Sequence, residues 1–343
     1  MICYRLIEKG AKMKIDVIIP AYKAQNSIIR TLSSIALQSI VDDLEVTIVN
    51  DCDGIGYKKY VEMFKPYMKI REIVMEKNGG PGDARQYGID HTENPLFTCI
   101  DADDTFAGAF ALKILRENLL KEEQNACCFG VFMEDQLKMY IPHPNDSVWM
   151  FGKLYKRDFI KKYGIRFKEG SRANEDAGFN MMCKLFSNQN EQIKYIPEII
   201  YYWHFKEDSI TRVNNCQYSY DQSFVGYTGN MIYALKYAEK VNPFNPNLMP
   251  MKVMILCNLY EYYIETVARD KRFIDQNFKC CKEYYDEIYK EIEPKINDDV
   301  LAEVYNEVMR NAYAGNKMFR IIPEMGIKEF LEKLKEPVEV AKE

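Results

Sequence analysis

The feature that most narrows the folds open to this chain is a regular alternation of short apolar runs with helical patterns across residues 15–100. Ile15-Asp16-Val17-Ile18-Ile19-Pro20 reads as a buried strand halted by its proline. Asn26 to Gln38 places Ile28, Ile29, Leu32, Ile35 and Ala36 on one helical face behind an Asn26 or Ser27 cap. Leu44 to Val49 is a second strand, ending at Asn50-Asp51-Cys52-Asp53-Gly54. A helix over Tyr57 to Tyr67 and a third strand over Ile70 to Met75 follow. After the turn Gly79-Gly80-Pro81-Gly82 come a helix from Asp83 to His91 and a strand from Leu96 to Ile100. Such alternation predicts an α/β fold with a largely parallel sheet. Ligands of these sheets gather beyond the carboxyl ends of the strands. The segments 20–22, 50–53 and 101–104 all follow strand ends and are expected to meet in one crevice.

Asp101-Ala102-Asp103-Asp104 is the chemically loudest of these segments. Three carboxylates so close raise one another's pKa unless a cation sits among them. A hard divalent cation is the natural occupant and could also hold a diphosphate; a solvated acidic turn is the plain alternative.

Farther along, Ala126 to Met133 reads as a strand, and Trp149 to Tyr155 leads into a helix over 156–163. A further helix opens at Asn174-Glu175-Asp176, and Ile193 to Trp203 is strand-like. From about residue 217 helical patterns rich in Tyr, Glu and Lys replace the alternation, so a domain boundary is placed near 215. The 343 residues allow two domains or one extended α/β domain, and 47% apolar content supports a sizeable core. The net charge of −5 argues against a broad nucleic-acid surface. Ten cysteines without a CxxC pair suggest neither zinc nor a disulfide scaffold; Cys127-Cys128 and Cys280-Cys281 read as buried small hydrophobes, and a reducing cytoplasm is expected. No apolar run is long enough for a transmembrane helix. Residues 1–14 lack a secretory pattern, and Met13 is a candidate start.

Five blocks, in order, carry a resemblance: VIIPAYKAQNSIIRTLSSIALQS, LEVTIVNDCDG, KNGGPGDARQYGIDHTENPLFTCIDADD, GKLYKRDFIKKYGIRF and ANEDAGF. Over residues 15–212 the chain resembles glycosyltransferase family 2, of GT-A fold. The resemblance implies a GT-A domain over 13–214, with a nucleotide-sugar half at about 13–104 and an acceptor half at about 105–214. The helical region 215–343 would complete the acceptor site, pair subunits as a homo-oligomer or touch a membrane face. It also implies a nucleotide-sugar donor, most simply a UDP-sugar, with Mn2+ or Mg2+ and inversion by single displacement. The acceptor would be a glycan or a lipid-linked intermediate of surface polysaccharide at the inner membrane face. A DNA, protein or small-molecule acceptor, or a non-catalytic nucleotide-sugar-binding module, are the alternatives.

Residue by residue, the resemblance puts Pro20, Ala21 and Tyr22 at the nucleobase. Asp51 would accept a hydrogen bond from the base, with Asn50 standing where the family has an acid; otherwise Asp51 is a turn-forming residue. Gly79, Gly80 and Gly82 allow close backbone approach. Arg85 either faces the nucleotide or is a solvated helix residue. In Asp101-Ala102-Asp103, Asp101 would contact ribose or metal and Asp103 would bind the metal, while Asp104 orients the site. Asp176 would be the catalytic base, against the alternative that the acids of Glu175-Asp176 serve the helix dipole. Lys153 touches diphosphate or acceptor, or is an exposed lysine. His204 is a metal or phosphate ligand or a structural histidine. Trp203 stacks on an acceptor sugar or belongs to the core. The loop 206–212 would close over the donor.

Overall fold

The computed structural model describes residues 13–137, 139–206, 226–269, 274–288 and 325–336, with 299, 302, 303 and 306. The chain forms two compact units, 1–212 and 213–343.

The first unit is built on a mixed nine-stranded sheet. Strands β1 (Ile15–Ala21), β2 (Leu44–Asn50), β3 (Lys69–Val74) and β4 (Leu96–Cys99) are parallel, in the order β3-β2-β1-β4. Between them run helices α1 (Ile28–Ala36), α2 (Lys58–Phe64) and α3 (Pro81–Asp90). The apolar residues of β1 and β2 are buried on both faces, as a sheet covered by helices requires. Helix α1 turns Ile28, Thr31, Leu32 and Ile35 inward, the i, i+3, i+4, i+7 spacing of one helical face.

Beyond β4 the sheet changes character. The short β5 (Thr105–Phe106) is followed by helix α4 (Ala111–Leu120), β6 (Asn125–Asp135), β7 (Tyr140–His143) and β8 (Lys153–Lys156). Helices α5 (Arg157–Tyr163) and α6 (Glu175–Phe186) precede β9 (Gln192–Trp203). The order continues β4-β8-β6-β9-β5, with β8 antiparallel to both β4 and β6, β9 parallel to β6, and β7 paired to β6. The expected strands at 126–133 and 193–203 are β6 and β9; the strands β5 and β7 and helix α4 were not anticipated. The stretch 149–155 runs into strand β8, the antiparallel partner of β4 and β6, rather than only leading into a helix.

Register fixes where the strands end. Ala21 pairs with Asn50 and Ile18 with Cys99, so the segments after β1, β2 and β4 leave the sheet at one edge. Asp51 N donates to Ala21 O at 2.9 Å and Ile100 N to Ile18 O at 3.0 Å, extending the ladder to the site itself.

The second unit contains helices α7 (Gly229–Val241), α8 (Leu248–Arg269), α9 (Ile274–Ile288) and α10 (Ile327–Lys335). Its core includes Leu259, Tyr260, Tyr263, Cys281, Phe330 and Leu334. The Tyr260 and Tyr263 rings each lie 5.2 Å from Phe330, so these tyrosines are packing residues. Cys127, Cys128, Cys280 and Cys281 are buried free thiols. Among the described residues no helix is long and apolar enough to cross a membrane. The stretch before Met13 and the loop residues 207–212 lie outside the described residues.

Candidate active site

At the end of β2, Asp51 is almost fully buried and its carboxylate is engaged by the turn that opens α3. It accepts from Gly79 N at 2.7 Å, Gly80 N at 2.8 Å and Asn78 Nδ2 at 2.9 Å. Burial pushes its pKa up, and the two glycine N–H groups oppose that rise. Gly80 has φ +89, a conformation that strains any side-chain-bearing residue. Asn50 donates to Glu72 at 2.9 Å and accepts from Asp53 N at 3.0 Å. The uncharged residue at that position therefore stitches the loop to β3. Asp53 was not singled out from sequence, yet it ties two strand-end loops together. It accepts from Ile55 N, Gly56 N, Lys23 N and the Gln25 amide. Burial works against its charge, but these donors hold its pKa well below the usual carboxylate range. Next to this loop Ala21 is buried and Tyr22 half exposed, its ring 5.1 Å from Lys23 Nζ. Pro20, Ala21, Tyr22 and Asp51 thus share one sheet edge.

The acids after β4 have three different environments. Asp104 is buried, accepting from Tyr201 OH at 2.7 Å and His204 N at 2.9 Å. Burial, followed by Asp103 and Asp101, holds its pKa well above the usual value. Ala102 is buried between the flanking acids. Asp103 is partly open and meets Lys206 Nζ at 3.6 Å, while its carbonyl accepts from Arg30. Its pKa is raised by burial and then by Asp101. Asp101 is half-buried and bound by Arg85 Nη2 at 2.6 Å.

His204 is turned away from these carboxylates toward Thr105, with Nε2 2.8 Å from Oγ1. Burial, then Arg30, lowers its pKa. Among the described residues no three His, Cys, Asp or Glu side chains converge as a metal cage. The reading of His204 as a metal ligand finds no geometry here. What does fit a hard cation is the Asp101–Asp103 pair, since Asp101 adds to the burial that raises Asp103 and a divalent ion would relieve that repulsion. Magnesium-like ions take one or two carboxylates and complete their shells with water and phosphate oxygens.

Helix α6 brings up the other half of the site. Asn174, with φ 51, turns the chain into the helix, and Glu175 and Asp176 occupy its buried first turn. Arg85 reaches from α3 and is only 3% exposed, which rules out a solvated helix residue. It bonds Asp101 through Nη2 and Glu175 through Nη1. Burial disfavours its charge, but Asp101, Glu175 and Asp176 together keep it firmly protonated. Its Nε is buried without a partner among the described residues. Asp176 accepts from Met150 N at 3.2 Å. Burial, then Glu175, pushes its pKa up to about 7, with Arg85 pulling the other way.

Lys153 fits neither reading made from sequence. It is fully buried, so it is not an exposed lysine, and its amine is closed off from any ligand. Nζ binds Asp146 at 2.5 Å and lies 4.9 Å from the Phe129 ring centroid. Burial lowers its pKa against the pull of Asp146. Asp146 also accepts from Val148 N and Trp149 N, and Asn180 of α6 donates to the Val148 and Trp149 carbonyls. Lys153 therefore shapes the loop that presents Met150 to Asp176. Trp203 packs at 5.6 Å from both Trp149 and Phe151 in a half-buried aromatic group.

Residues 16–175 match the family model described as glycosyl transferase family 2. This stretch is a glycosyltransferase family 2 domain. The chain is 25% identical over 220 residues to succinoglycan biosynthesis protein ExoO of Rhizobium meliloti, covering 57% of this chain and 62% of that protein. It is 26% identical over 210 residues to poly(ribitol-phosphate) beta-N-acetylglucosaminyltransferase TarS of Staphylococcus aureus, covering 57% of this chain and 36% of TarS. These matches take in less than two thirds of either relative's length. The crystal structure of S. aureus TarS 1-349 in complex with UDP-GlcNAc superposes with a TM-score of 0.66 at 16% identity, covering 89% of this chain and 93% of that one. The mannosyltransferase PcManGT from Pyrobaculum calidifontis, solved with GDP-Man and Mn2+, superposes at 0.53 with 11% identity, covering 94% and 85% of the two chains. The family 2 domain here accordingly has the GT-A fold.

Sequence reasoning missed three residues that matter to this domain's site. Glu175 was noted only as the neighbour of Asp176, Asp53 as part of a turn, and Asp146 not at all. The pairing of Glu175 with Arg85 had a faint signal: a lone arginine on the same helix face as the small and apolar Gly82, Ala84, Gly88 and Ile89.

Proposed function

We propose that the chain is a glycosyltransferase that moves a sugar from a nucleotide-sugar, most simply a UDP-sugar, to an acceptor hydroxyl in surface-polysaccharide or related glycoconjugate synthesis. The observation that carries this is Asp176. It is a buried carboxylate whose pKa of about 7 suits a base at neutral pH, and it answers electrostatically to the same arginine that grips Asp101.

In this reading the nucleobase lies against Pro20, Ala21 and Tyr22 at the edge kept in shape by Asp51 and Gly80. Asp103, with Asp101, would hold Mn2+ or Mg2+, which when bound supplies positive charge to the diphosphate leaving group. Arg30 and Lys206 border Asp103 and add positive charge on the same side. Asp176 takes the proton of the acceptor hydroxyl as that oxygen bonds the anomeric carbon. The bond from that carbon to the diphosphate oxygen breaks, and the anomeric centre inverts. The succinoglycan and poly(ribitol-phosphate) relatives support a polysaccharide or polyol-phosphate acceptor. Such an acceptor, if lipid-linked, would be met at the inner membrane face.

The test is donor hydrolysis and transfer over a panel of UDP- and GDP-sugars with Mn2+ or Mg2+, with Asp103→Ala and Asp176→Ala alongside. One donor should turn over, both variants should be inactive, and Asp176→Ala should still bind nucleotide. Binding of nucleotide and cation with no turnover of any donor, even with polyol-phosphate acceptors added, would favour a binding module instead.

A further inference from the structure

Helix α3 contains a seat built for Glu175. At Gly82 a Cβ would lie 2.7 Å from Glu175 Cγ and 3.0 Å from its Cβ, so the glutamate stem occupies the space a side chain would need. One turn farther along the same helix, Arg85 meets the glutamate carboxylate with Nη1. The other terminal nitrogen, Nη2, reaches Asp101. Arg85 and Glu175 are each about nineteen-twentieths buried, so this bridge is shielded from water. The arginine commits both ends of its fork to carboxylates on different elements and leaves Nε unmatched among the described residues. That is the geometry of a group placed to hold two partners at a fixed separation. Glu175 immediately precedes Asp176, whose second anchor is Met150 N.

We infer that Arg85 and Glu175 are positioning residues, which fix the Asp176 carboxylate relative to Asp101 without touching substrate. This rests on the assignment of Asp176 as base and Asp101 as a donor-side acid. Near-attack geometry is sensitive to displacements of about 1 Å, so loosening the bridge acts on turnover more than on donor affinity.

The test uses the full chain with Glu175→Ala, Glu175→Gln and Arg85→Lys. Kinetics with the donor found above are paired with UDP binding in Mn2+ and with crystal structures of each variant. Glu175→Ala should lower kcat about tenfold or more, with donor KM and UDP Kd within about twofold of the parent. Glu175→Gln, which keeps the arm in its seat, should recover most of that loss. Combining Glu175→Ala with Arg85→Lys should cost less than the product of the single losses, because both break one bridge. The crystal structures should show the first turn of α6 displaced from Asp101 in Glu175→Ala and restored in Glu175→Gln. A rise in donor KM and UDP Kd with kcat intact in Arg85→Lys would overturn the inference, since Arg85 would then bind nucleotide directly. So would unmoved Asp176 and Asp101 carboxylates in Glu175→Ala. The displacement needs no donor, so a chain that turned over no nucleotide-sugar would sink the functional reading while the structures still decided this one.

Discussion

Tyr201 donates its hydroxyl to Asp104 at 2.7 Å in a place where neither side chain meets solvent. The same carboxylate accepts His204 N, so one acid fastens the end of β9 to the segment after β4. Its neighbour Asp103 fastens no such strand and faces Lys206. Two adjacent acids therefore answer to different demands. Asp104→Ala should destabilise the fold by about 2–4 kcal/mol, because two buried donors lose their acceptor. Asp103→Ala should leave Tm within a few degrees of the parent and abolish cation-dependent nucleotide binding. Denaturant melts and calorimetric titration of both variants check the contrast.

The raised pKa of Asp176 sets a pH dependence. The base works deprotonated, so kcat/KM should rise about tenfold per pH unit below 7 and level off above it. A transfer assay from pH 5.5 to 8.5 tests this. A profile flat across that range, as expected if the group kept the ordinary carboxylate value of 3.8, would remove Asp176 as the group responsible.

Stability should run the opposite way. The folded pKa of Asp176 lies above its unfolded value, so its protonated form favours the fold. That contribution is complete below the unfolded pKa and disappears as pH rises through about 7. Asp176→Asn, which carries no charge to bury, should cut transfer roughly a hundred- to ten-thousand-fold yet melt a few degrees higher at pH 8. The difference in melting temperature should shrink toward pH 4.

Lys153→Met removes a buried cation and leaves Asp146 with backbone donors alone. A loss of about 3 kcal/mol in unfolding free energy is expected. Donor KM should stay within about twofold, because the amine does not face a ligand. A large rise in donor KM at unchanged stability would return Lys153 to the binding surface.

The parallel strands, and the edge on which their ends align, were legible because buried strands are written locally: an apolar run, then Pro20, Asn50 or Asp101. The acids at 101–104 stood out by their charge alone, with a solvated turn as the alternative. The separate roles proposed for Asp103 and Asp176 rest instead on the ordered family blocks, since acids after a strand or in a helix's first turn are common for other reasons. The burial of Arg85 and Lys153 was not legible. A charged side chain can be buried when a partner neutralises it, and Glu175 and Asp146 are brought there by the fold. The strands β5 and β7 are too short for alternation to declare them, and they exist through pairing with β9 and β6.

The contact between Gly82 and the stem of Glu175 also bears on how such a domain can vary over time. Space missing at one position is filled by the other, so neither can change size by itself without disturbing the seat. A bulkier residue at 82 should be tolerated better when residue 175 is shortened at the same time. These two places, far apart along the chain, draw on one shared volume.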